Sequence, residues 1–300
     1  MGHPLFWARG FTPPCKTPAQ EDSATGQRTG RADGPASGTD RRRRMLMRAD
    51  RAVWRRWAKA TTVIAGAGAV AVGLIGTSPV AVAQPTTVDC NANPSALQPA
   101  VVGAAPGATL RVRGTCIGPV TLVKDVTLIG LRGAILDGNH TGTTVTVRAG
   151  VQADLQNLVI THGSATLGGG IVSDGTLTLT RSAVQDNTAF RGGGILSSEV
   201  ATLTLTRSAV QNNTATDGGG GIYNSGTATL DRTTVQNNNA PTGGGILNDS
   251  GSATLTGSRV LNNTATISGG GIFNFAGTVT LIRTTVSGNV PNQCTGVSGC

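Results

Sequence analysis

Aromatic and charged side chains are scarce in this chain of 300 residues, at 3% and 13% of the sequence. The tryptophans all lie at or before Trp57, and Tyr223 is the only tyrosine. Sugar-binding clefts rely on exposed aromatic rings, and residues 84–300 hold only four aromatic residues, Phe190, Tyr223, Phe273 and Phe275. Tyr223 and Phe273 share one repeat position next to an apolar one, and we expect both to pack against the protein.

Clustered chemical groups are also missing after residue 83. The ten acidic residues there are spread along the chain without an Asp-Asp pair, whereas calcium sites and glycosidases need grouped carboxylates. His140 and His162 are too few for a zinc site, and we expect the polar run from Asp137 to His140 to form a plain turn. No nucleophile elbow occurs, and the lone lysine, Lys124, belongs to no phosphate-binding loop. The sequence predicts no catalytic set, no metal site and no cofactor.

One tetrapeptide, in contrast, recurs five times. Gly-Gly-Gly-Ile occupies residues 168–171, 192–195, 219–222, 243–246 and 269–272, and its isoleucines are 24, 27, 24 and 26 residues apart. A period of about 25 residues indicates one structural unit stacked on copies of itself.

Each repeat has the pattern of short strands separated by turns. A threonine-rich run after each isoleucine carries apolar residues at every second position, as at Leu177 and Leu179, which places them on one face of a strand. No repeat carries an amphipathic helical pattern, so helical repeat arrays are excluded. Glycine and asparagine at fixed offsets mark turns. The sequence therefore predicts an all-β fold, a parallel β-helix of about seven coils over residues 109–290.

Asparagine recurs at one turn of every repeat, in the pattern Val-x-x-Asn. The five members are Asn187, Asn213, Asn238, Asn263 and Asn289. Asparagine tolerates the left-handed conformation, and stacked amides can form a hydrogen-bonded ladder, so we expect a structural turn ladder. A second polar column follows the glycines and has the same interpretation. Its members are Ser173, Ser197, Asn224, Asn248 and Asn274.

Arginine recurs at a third position. The column contains Arg181, Arg207, Arg232 and Arg283, and Gly257 interrupts it. Stacked guanidinium groups could bind an acidic polysaccharide or another polyanion. The alternative is a solvated edge that prevents sheets from aggregating, and repulsion between like charges on adjacent coils favours this alternative.

The first 83 residues differ from the repeats. Residues 1–44 are rich in Pro, Gly, Ser, Thr and Arg, so we expect them to be disordered and to precede a true start at Met45 or Met47. Residues 45–83 have the basic, apolar and Ala-x-Ala parts of a signal peptide, with cleavage before Gln84. Arg55 and Arg56 leave the twin-arginine and general export routes both open. A membrane anchor is the weaker interpretation, because the apolar run is short for a ~20-residue span.

The net charge of +9 belongs to this leader. Residues 1–83 hold 13 basic against 5 acidic side chains, and residues 84–300 hold 11 against 10, which leaves +1. Nucleic acid binding requires a basic field. The exported part lacks one, so we expect no nucleic acid partner.

Four cysteines follow the leader, and an even number in an exported chain predicts disulfides. They are Cys90, Cys116, Cys294 and Cys300. We expect the first two to pair with each other and the last two likewise, because the other pairings would require the ends of a rod to meet. Residues 291–300 then form a C-terminal disulfide tail.

Residues 84–108 are predicted to form an N-terminal cap with a short helix between residues 91 and 107. Asn93 is the expected N-cap and Pro94 the first helical residue. Pro99 limits the length of this helix. Such a cap would cover the exposed strand edges of the first coil.

Several motifs resemble a known family. Ile135–Asn139, Leu155–Thr161 and the repeated Gly-Gly-Gly-Ile and Asn-Asn-Thr-Ala resemble bacterial secreted proteins of the pectin-lyase-like superfamily. The repeats are similar in style to polymorphic outer membrane protein repeats, with Val in place of Phe in their Phe-x-x-Asn motif. This resemblance implies a right-handed, single-stranded parallel β-helix. It implies little about function, because the fold hosts lyases, hydrolases and adhesins.

These observations predict a secreted, non-catalytic β-helix repeat protein with an adhesin-like role at a surface or outside the cell. We expect a monomer without a membrane span in its exported form. Its expected partner is an extracellular or cell-wall polysaccharide or a host surface. The alternative is a polysaccharide lyase or glycoside hydrolase of the pectin-lyase-like type.

Overall fold

The structure is a computed structural model that describes residues 85–300. The expectations for the disordered start, the signal peptide and its cleavage site lie outside the described residues. Within residues 85–300 the secondary structure consists of β-strands and a single short helix.

Three strands of the first coils have 10 or more residues, whereas strands of the later repeats have at most 5. The early elements are β1 (Thr86–Asp89), α1 (Leu97–Gly103), β2 (Ala108–Ile117), β3 (Val120–Leu122), β4 (Val126–Asp137), β5 (Val145–Val147), β6 (Gln152–Thr161) and β7 (Ser164–Leu167). The later strands are β8 (Ile171–Ser173), β9 (Thr176–Thr180), β10 (Ala183–Gln185), β11 (Thr188–Arg191), β12 (Ile195–Ser197), β13 (Thr202–Thr206), β14 (Ala209–Gln211), β15 (Thr214–Gly218), β16 (Ile222–Asn224), β17 (Thr227–Asp231), β18 (Thr234–Gln236), β19 (Asn239–Thr242), β20 (Ile246–Asn248), β21 (Ser252–Thr256), β22 (Arg259–Leu261), β23 (Thr264–Ser268), β24 (Ile272–Asn274), β25 (Thr278–Ile282), β26 (Thr285–Ser287) and β27 (Cys294–Thr295).

These strands form three sheets in which named strands pair in parallel. The Ile sheet contains eight strands, β3, β5, β8, β12, β16, β20, β24 and β27, and the short sheet contains five, β7, β11, β15, β19 and β23. The remaining 14 strands form the long sheet. Each strand pairs with the strand one repeat away, as in β12 with β8 and β16. This topology confirms the predicted parallel β-solenoid.

The isoleucines of the repeated tetrapeptide lie in one file along the Ile sheet, as predicted. Ile195 pairs with Ile171 and with Ile222, and the file continues to Ile246 and Ile272. The eight strands of this sheet give about eight turns, compared with about seven expected. The difference arises because the predicted disulfide tail contributes β27, which pairs with β24.

The long sheet bends between two faces of the solenoid. In the early coils single strands cross the bend: β6 pairs with β9 through its first half and with β10 near its end. In the repeats the same path is divided into two strands, such as β9 and β10, by a residue with positive φ. The core fills the space inside the three sheets, and residues such as Leu177, Leu179 and Val184 are fully buried.

The glycine triplets form the corner that leads into the Ile sheet. Gly192 has a φ of 65°, a left-handed conformation in which a side chain is strained. At Gly193 a Cβ atom would lie 2.5 Å from backbone oxygens of both Thr214 and Gly220 in the next coil. Because the coils approach so closely here, the repeat requires glycine.

Helix α1 covers the N-terminal end but begins later than predicted. Its N-cap position is Ala96, which provides no side-chain cap. The expectation of an Asn93 cap is wrong, because the Asn93 side-chain oxygen accepts a hydrogen bond from the Ser95 backbone N–H at 3.1 Å and forms a local turn instead. Pro99 fits inside the helix, since the first-turn N–H groups have no intrahelical partner.

Both predicted disulfides are present. Cys90 bonds to Cys116, and their Cα atoms are 5.0 Å apart; Cys294 bonds to Cys300, with a Cα separation of 6.1 Å. Each therefore lies at one end of the stack of coils. The first joins the segment before α1 to β2, and the second closes a loop after β26.

Candidate functional site

The predicted asparagine column forms a continuous ladder inside the solenoid. The Asn238 side-chain N–H₂ donates to the side-chain oxygen of Asn263 at 2.9 Å. The side-chain oxygen of Asn238 accepts from both the backbone N–H and the side-chain N–H₂ of Asn213, each at 3.0 Å. At one end the Gly163 backbone N–H donates to the side-chain oxygen of Asn187, and at the other the Gln293 side-chain oxygen accepts from the amide of Asn289. The members are at most 4% exposed, so this Asn ladder is part of the core.

The left-handed residue of that turn is not the asparagine of the ladder, where the sequence predicts it. Positive φ occurs one position before each of the five ladder members, at Asp186, Asn212, Asn237, Asn262 and Gly288, and likewise at His162 before Gly163. The exposed residue therefore turns the chain, and the following asparagine is directed inward. Repetition located the turn, but neighbouring asparagines at several coils concealed which of the two has the unusual backbone.

The second polar column is also internal, and it contains a gap. The Asn224 side-chain N–H₂ donates to the side-chain oxygen of Asn248, and the Asn248 side-chain N–H₂ donates to the side-chain oxygen of Asn274, both at 2.8 Å. One coil earlier the column changes to serine at Ser197. The Ser197 hydroxyl and the Asn224 carbonyl oxygen are both buried without a hydrogen-bond partner. The column is therefore unsatisfied at this junction.

The arginine column lies on the outside, at the bend of the long sheet. Arg181, Arg207, Arg232 and Arg283 are exposed and have φ between 48° and 50°, and Gly257 continues the column with φ 56°. Each backbone is thus left-handed, a conformation that costs a non-glycine residue about 1–2 kcal/mol. The four arginines share one position of the coil, and the strain of that position was not visible in the sequence.

A buried hydroxyl after each arginine fixes this bend. The Ser208 hydroxyl donates to the Thr206 carbonyl oxygen at 3.0 Å and contacts the Leu179 carbonyl oxygen of the preceding coil at 3.2 Å. The Arg207 backbone N–H donates to the Asp231 carbonyl oxygen of the next coil at 2.9 Å. The other members of this hydroxyl column are Ser182, Thr233, Ser258 and Thr284. The bend is therefore rigid, and it presents the guanidinium groups to solvent.

The arginines border an open groove of about 540 Å³, here called the arginine groove. Its wall includes Arg181, Arg207 and Arg232, with small side chains such as Ala183 and Ala209 at its base, and no carboxylate lines it. On the same strands the outward glutamines form a chain of amides, in which Gln236 donates to Gln211 at 3.0 Å and Gln211 to Gln185 at 3.1 Å. The groove thus offers positive charge, and the glutamine amides lie on the same strands without lining it.

A histidine–aspartate cluster was missed in the sequence, where Asp137 and His162 are 25 residues apart. The His162 Nδ1 lies 3.0 Å from the Asp137 carboxylate, and the rings of His140 and His162 are 5.1 Å apart. Burial raises the pKa of Asp137, but the hydrogen bonds from His162 and from the Asn139 backbone, with the charges of both histidines, outweigh it and leave the pKa below its usual value. Stacking of coils one repeat apart brings these groups together.

A second polar cluster joins residues of the short sheet to Tyr223 of the Ile sheet. Arg191 donates to the Asp217 carboxylate and lies 5.6 Å from the ring centres of both Phe190 and Tyr223. Burial and the Asp249 charge raise the pKa of Tyr223, which is 8% exposed. Tyr223 therefore packs as expected and forms no open platform.

Two carboxylates share a smaller groove of about 330 Å³ near the N-terminal coils, here called the acid groove. Asp125 accepts from the Gln152 backbone N–H at 2.8 Å, and Asp154 accepts from the Gln156 amide at 2.7 Å. The other Asp154 oxygen is buried without a partner. Because the two residues belong to different coils, their proximity was not apparent in the sequence.

Two further features bear on function. In residues 85–300, no group of three or more His, Cys, Asp or Glu side chains is placed to hold a metal ion. Helix α1 is far too short to span a bilayer, and the part of the chain that the structure describes contains no other helix that could.

Comparison with known protein families matches a short segment of the chain. Residues 208–225 match the Chlamydia polymorphic membrane protein (Chlamydia_PMP) repeat, and this segment includes Asn213 of the ladder and the glycine corner before Ile222. No curated protein and no solved structure matches the chain. The match and the fold together make this chain a β-helix protein with repeats similar to those of polymorphic membrane proteins.

Proposed function

We propose that this chain is a non-catalytic binding protein, exported by a bacterium to its surface or surroundings, and that its arginine groove holds an acidic polysaccharide. The similarity of residues 208–225 to a membrane protein repeat supports a surface location. The observation that carries the proposal is the arginine column: its four members are held in left-handed backbone, and Arg181, Arg207 and Arg232 border a groove whose lining contains no carboxylate. The Asp231 carboxylate, outside that lining, lies 3.7 Å from the Arg232 guanidinium.

Strain at this position favours a functional interpretation. Glycine adopts a φ near 50° at little cost, and Gly257 shows that the turn accepts it. Backbone strain persists at sites where the residue has a use beyond folding. A column that serves only to keep the surface soluble could use glycine at the bend and place its charges on unstrained positions.

The spacing of the column defines the ligand class. Adjacent coils are about 4.8 Å apart, so the guanidinium groups match a linear polymer with negative charges at a similar spacing along the solenoid axis. The amides of Gln185, Gln211 and Gln236 can donate to and accept from sugar hydroxyls. The groove lining contains no aromatic ring on which a base could stack, which favours a polysaccharide over a single-stranded nucleic acid.

Salt elution of the full chain from immobilised heparin tests the proposal. Arg207→Gln should elute at lower salt than the parent chain, and Gly257→Arg, which fills the interruption, should elute at higher salt. Arg148→Gln is the control, because Arg148 is exposed at the end of β5 and does not line the groove. The basic residues 1–83 are present in every variant, so only differences between variants count. Equal elution of all four chains would contradict the proposal, and displacement by single-stranded DNA but not by polygalacturonate would assign the groove to nucleic acid.

The acid groove favours a second candidate, hydrolysis or lysis of a polysaccharide, since such enzymes use paired carboxylates. Incubation with polygalacturonate, with and without calcium, separates the two functions. We expect no new reducing ends and no unsaturated products. Products that disappear in Asp154→Asn would establish the enzyme instead.

A further inference from the structure

Two exposed arginines that the column does not include lie at the two ends of the arginine groove. They are Arg132, in β4, and Arg259, at the start of β22. Neither lines the groove itself, but each is next to a residue that does. Arg132 precedes Gly133 in the chain, and Arg259 pairs with Thr234 one coil earlier. Positive charge therefore stands at both ends of the groove as well as along its side.

Arg132 lies on a bulge at the bend of the long sheet. Residues 130–133 of β4 lie opposite the single residue Asn157 of β6, so the chain protrudes there. Arg132 has a φ of 49° and Asn157 a φ of 54°, close to the values of the arginine column, and both residues are exposed. The bend thus continues into the irregular early coils, where Arg132 carries the charge and Asn157 is neutral.

Arg259 ends the base of the groove on the other side. The base is one column of side chains on the strands that follow the bend, and each member pairs with the next. Its members that line the groove are Val159, Ala183, Ala209 and Thr234. Arg259 is the next member of this column and the first with a long, charged side chain. The smaller side chains leave the groove open, and Arg259 limits it.

The coil that contains Arg259 is the one in which Gly257 interrupts the arginine column. Ser258 between them is buried, whereas Gly257 and Arg259 are both exposed. A Cβ atom at Gly257 would meet only the Cγ atom of Arg232, at 3.8 Å, so the bend is open there. The charge of this coil is therefore moved two positions along the chain, from the bend to the base. Within residues 85–300 neither Arg132 nor Arg259 forms an ion pair with a carboxylate, which leaves both for an anionic ligand.

On the basis of the proposed function, we infer that the arginine groove is a site of limited length, with Arg132 and Arg259 as its terminal binding residues. From Arg132 to Arg259 the strands follow the order β4, β6, β10, β14, β18 and β22, which is five steps or ~24 Å. A polysaccharide with one carboxylate per sugar ring presents its charges at a spacing similar to that of the coils. The site therefore takes a segment of about six such rings, one for each coil. Arg283 lies one coil beyond this segment.

Calorimetric titration of the full chain with the hexamer and the trimer of mannuronic acid tests this length. Arg132→Gln and Arg259→Gln should each weaken binding of the hexamer about two- to fivefold, the value of an exposed ion pair. Both should affect the trimer much less, because the three central arginines can hold it. Arg259→Lys keeps the charge and should bind the hexamer like the parent chain. Arg148→Gln is the control away from the groove, and comparison among variants removes any contribution of the basic residues 1–83.

Arg207→Gln separates the length of the site from the proposed function, because Arg207 lies in the middle of the groove. Weaker binding in Arg207→Gln, with hexamer binding unchanged in Arg132→Gln or Arg259→Gln, would overturn the terminal residues and leave the proposed function standing. The same conclusion would follow if Arg283→Gln weakened hexamer binding as much as Arg259→Gln does. If Arg207→Gln and both terminal variants all bound like the parent chain, the terminal residues and the proposed function would both be wrong.

Discussion

Two columns of polar residues run along this solenoid, the Asn ladder inside and the arginine column outside. Both repeat once per coil, and both lie at or beside a bend with positive φ. The asparagines satisfy one another through amide hydrogen bonds in a dry core. The arginines are exposed, and neighbouring members repel. The comparison shows that repetition alone does not distinguish a buried group that stabilises the coil from an exposed group on its surface.

The largest expected effect comes from breaking the inner column. Asn238→Ala removes the acceptor of the Asn213 backbone and side-chain N–H groups and the donor to the Val210 carbonyl oxygen. Each buried group left unpaired costs about 1–3 kcal/mol. We expect the free energy of unfolding, measured in urea, to fall by about 3 kcal/mol or more. The control is Asn239→Thr, an exposed neighbour that pairs with Thr214 and Thr264, and it should change stability by less than about 0.5 kcal/mol. A small loss in Asn238→Ala would mean that the ladder does not stabilise the stack.

The features that could be predicted from the sequence are those that repeat. Period two in the threonine-rich runs fixed which side chains enter the core, and the recurrent isoleucine fixed the register between coils. Pairing of Cys90 with Cys116 followed because a stack of coils holds its two ends apart. These are local or nearest-neighbour properties, and each coil provided an independent copy of the signal.

The features that could not be predicted depend on single coils. Asp137 and His162 meet because β4 and β6 stack in a particular register, which no repeated motif marks in those irregular coils. The left-handed residue was placed one position too late because an asparagine stands at both candidate positions in several coils. The start of α1 depended on Asn93 forming a turn in preference to a cap, a competition between two local hydrogen bonds of similar strength.

Extending the second inner column should produce a smaller effect of opposite sign. Ser197→Asn places an amide next to the unpaired Asn224 carbonyl oxygen, in the geometry that Asn224 already adopts toward Asn248. We expect the free energy of unfolding to rise by about 1 kcal/mol, the net value of one hydrogen bond. Ser197→Ala is the control and should be nearly neutral, because the hydroxyl that it removes has no partner. If Ser197→Asn destabilises the chain, the serine coil has no room for the amide.

Relieving the outer column should stabilise the fold slightly. Arg207→Gly removes the strain of a left-handed arginine but increases the entropy of the unfolded chain. The difference between these two contributions predicts that the free energy of unfolding, measured in urea, rises by about 0.5 kcal/mol. The Arg148 backbone is not in the left-handed region, so Arg148→Gly should instead lower the free energy of unfolding by about 0.5–1 kcal/mol. Opposite signs at the two arginines would confirm that the column is strained. A loss at Arg207 would indicate that stacking of the arginine stems outweighs the strain.

The smallest effect concerns the partly exposed Asp137–His162 pair. This pair lies on the surface next to Gly163, whose backbone N–H donates to the first asparagine of the ladder. The Asp137 pKa is lower in the folded chain than in the unfolded chain. The carboxylate therefore contributes stability above its ordinary pKa of 3.8, and the contribution is lost as the pH falls through the lower folded value. Because the His162 side chain is 44% exposed, the pair should be worth less than about 1 kcal/mol. Asp137→Asn should thus be slightly less stable than the parent chain at pH 7, and the two unfolding curves should converge only once the pH has fallen below the lowered pKa of folded Asp137. A difference that persists below that pKa would assign the loss to the turn at Asn139, whose backbone N–H the same carboxylate accepts at 2.8 Å, and not to the charge.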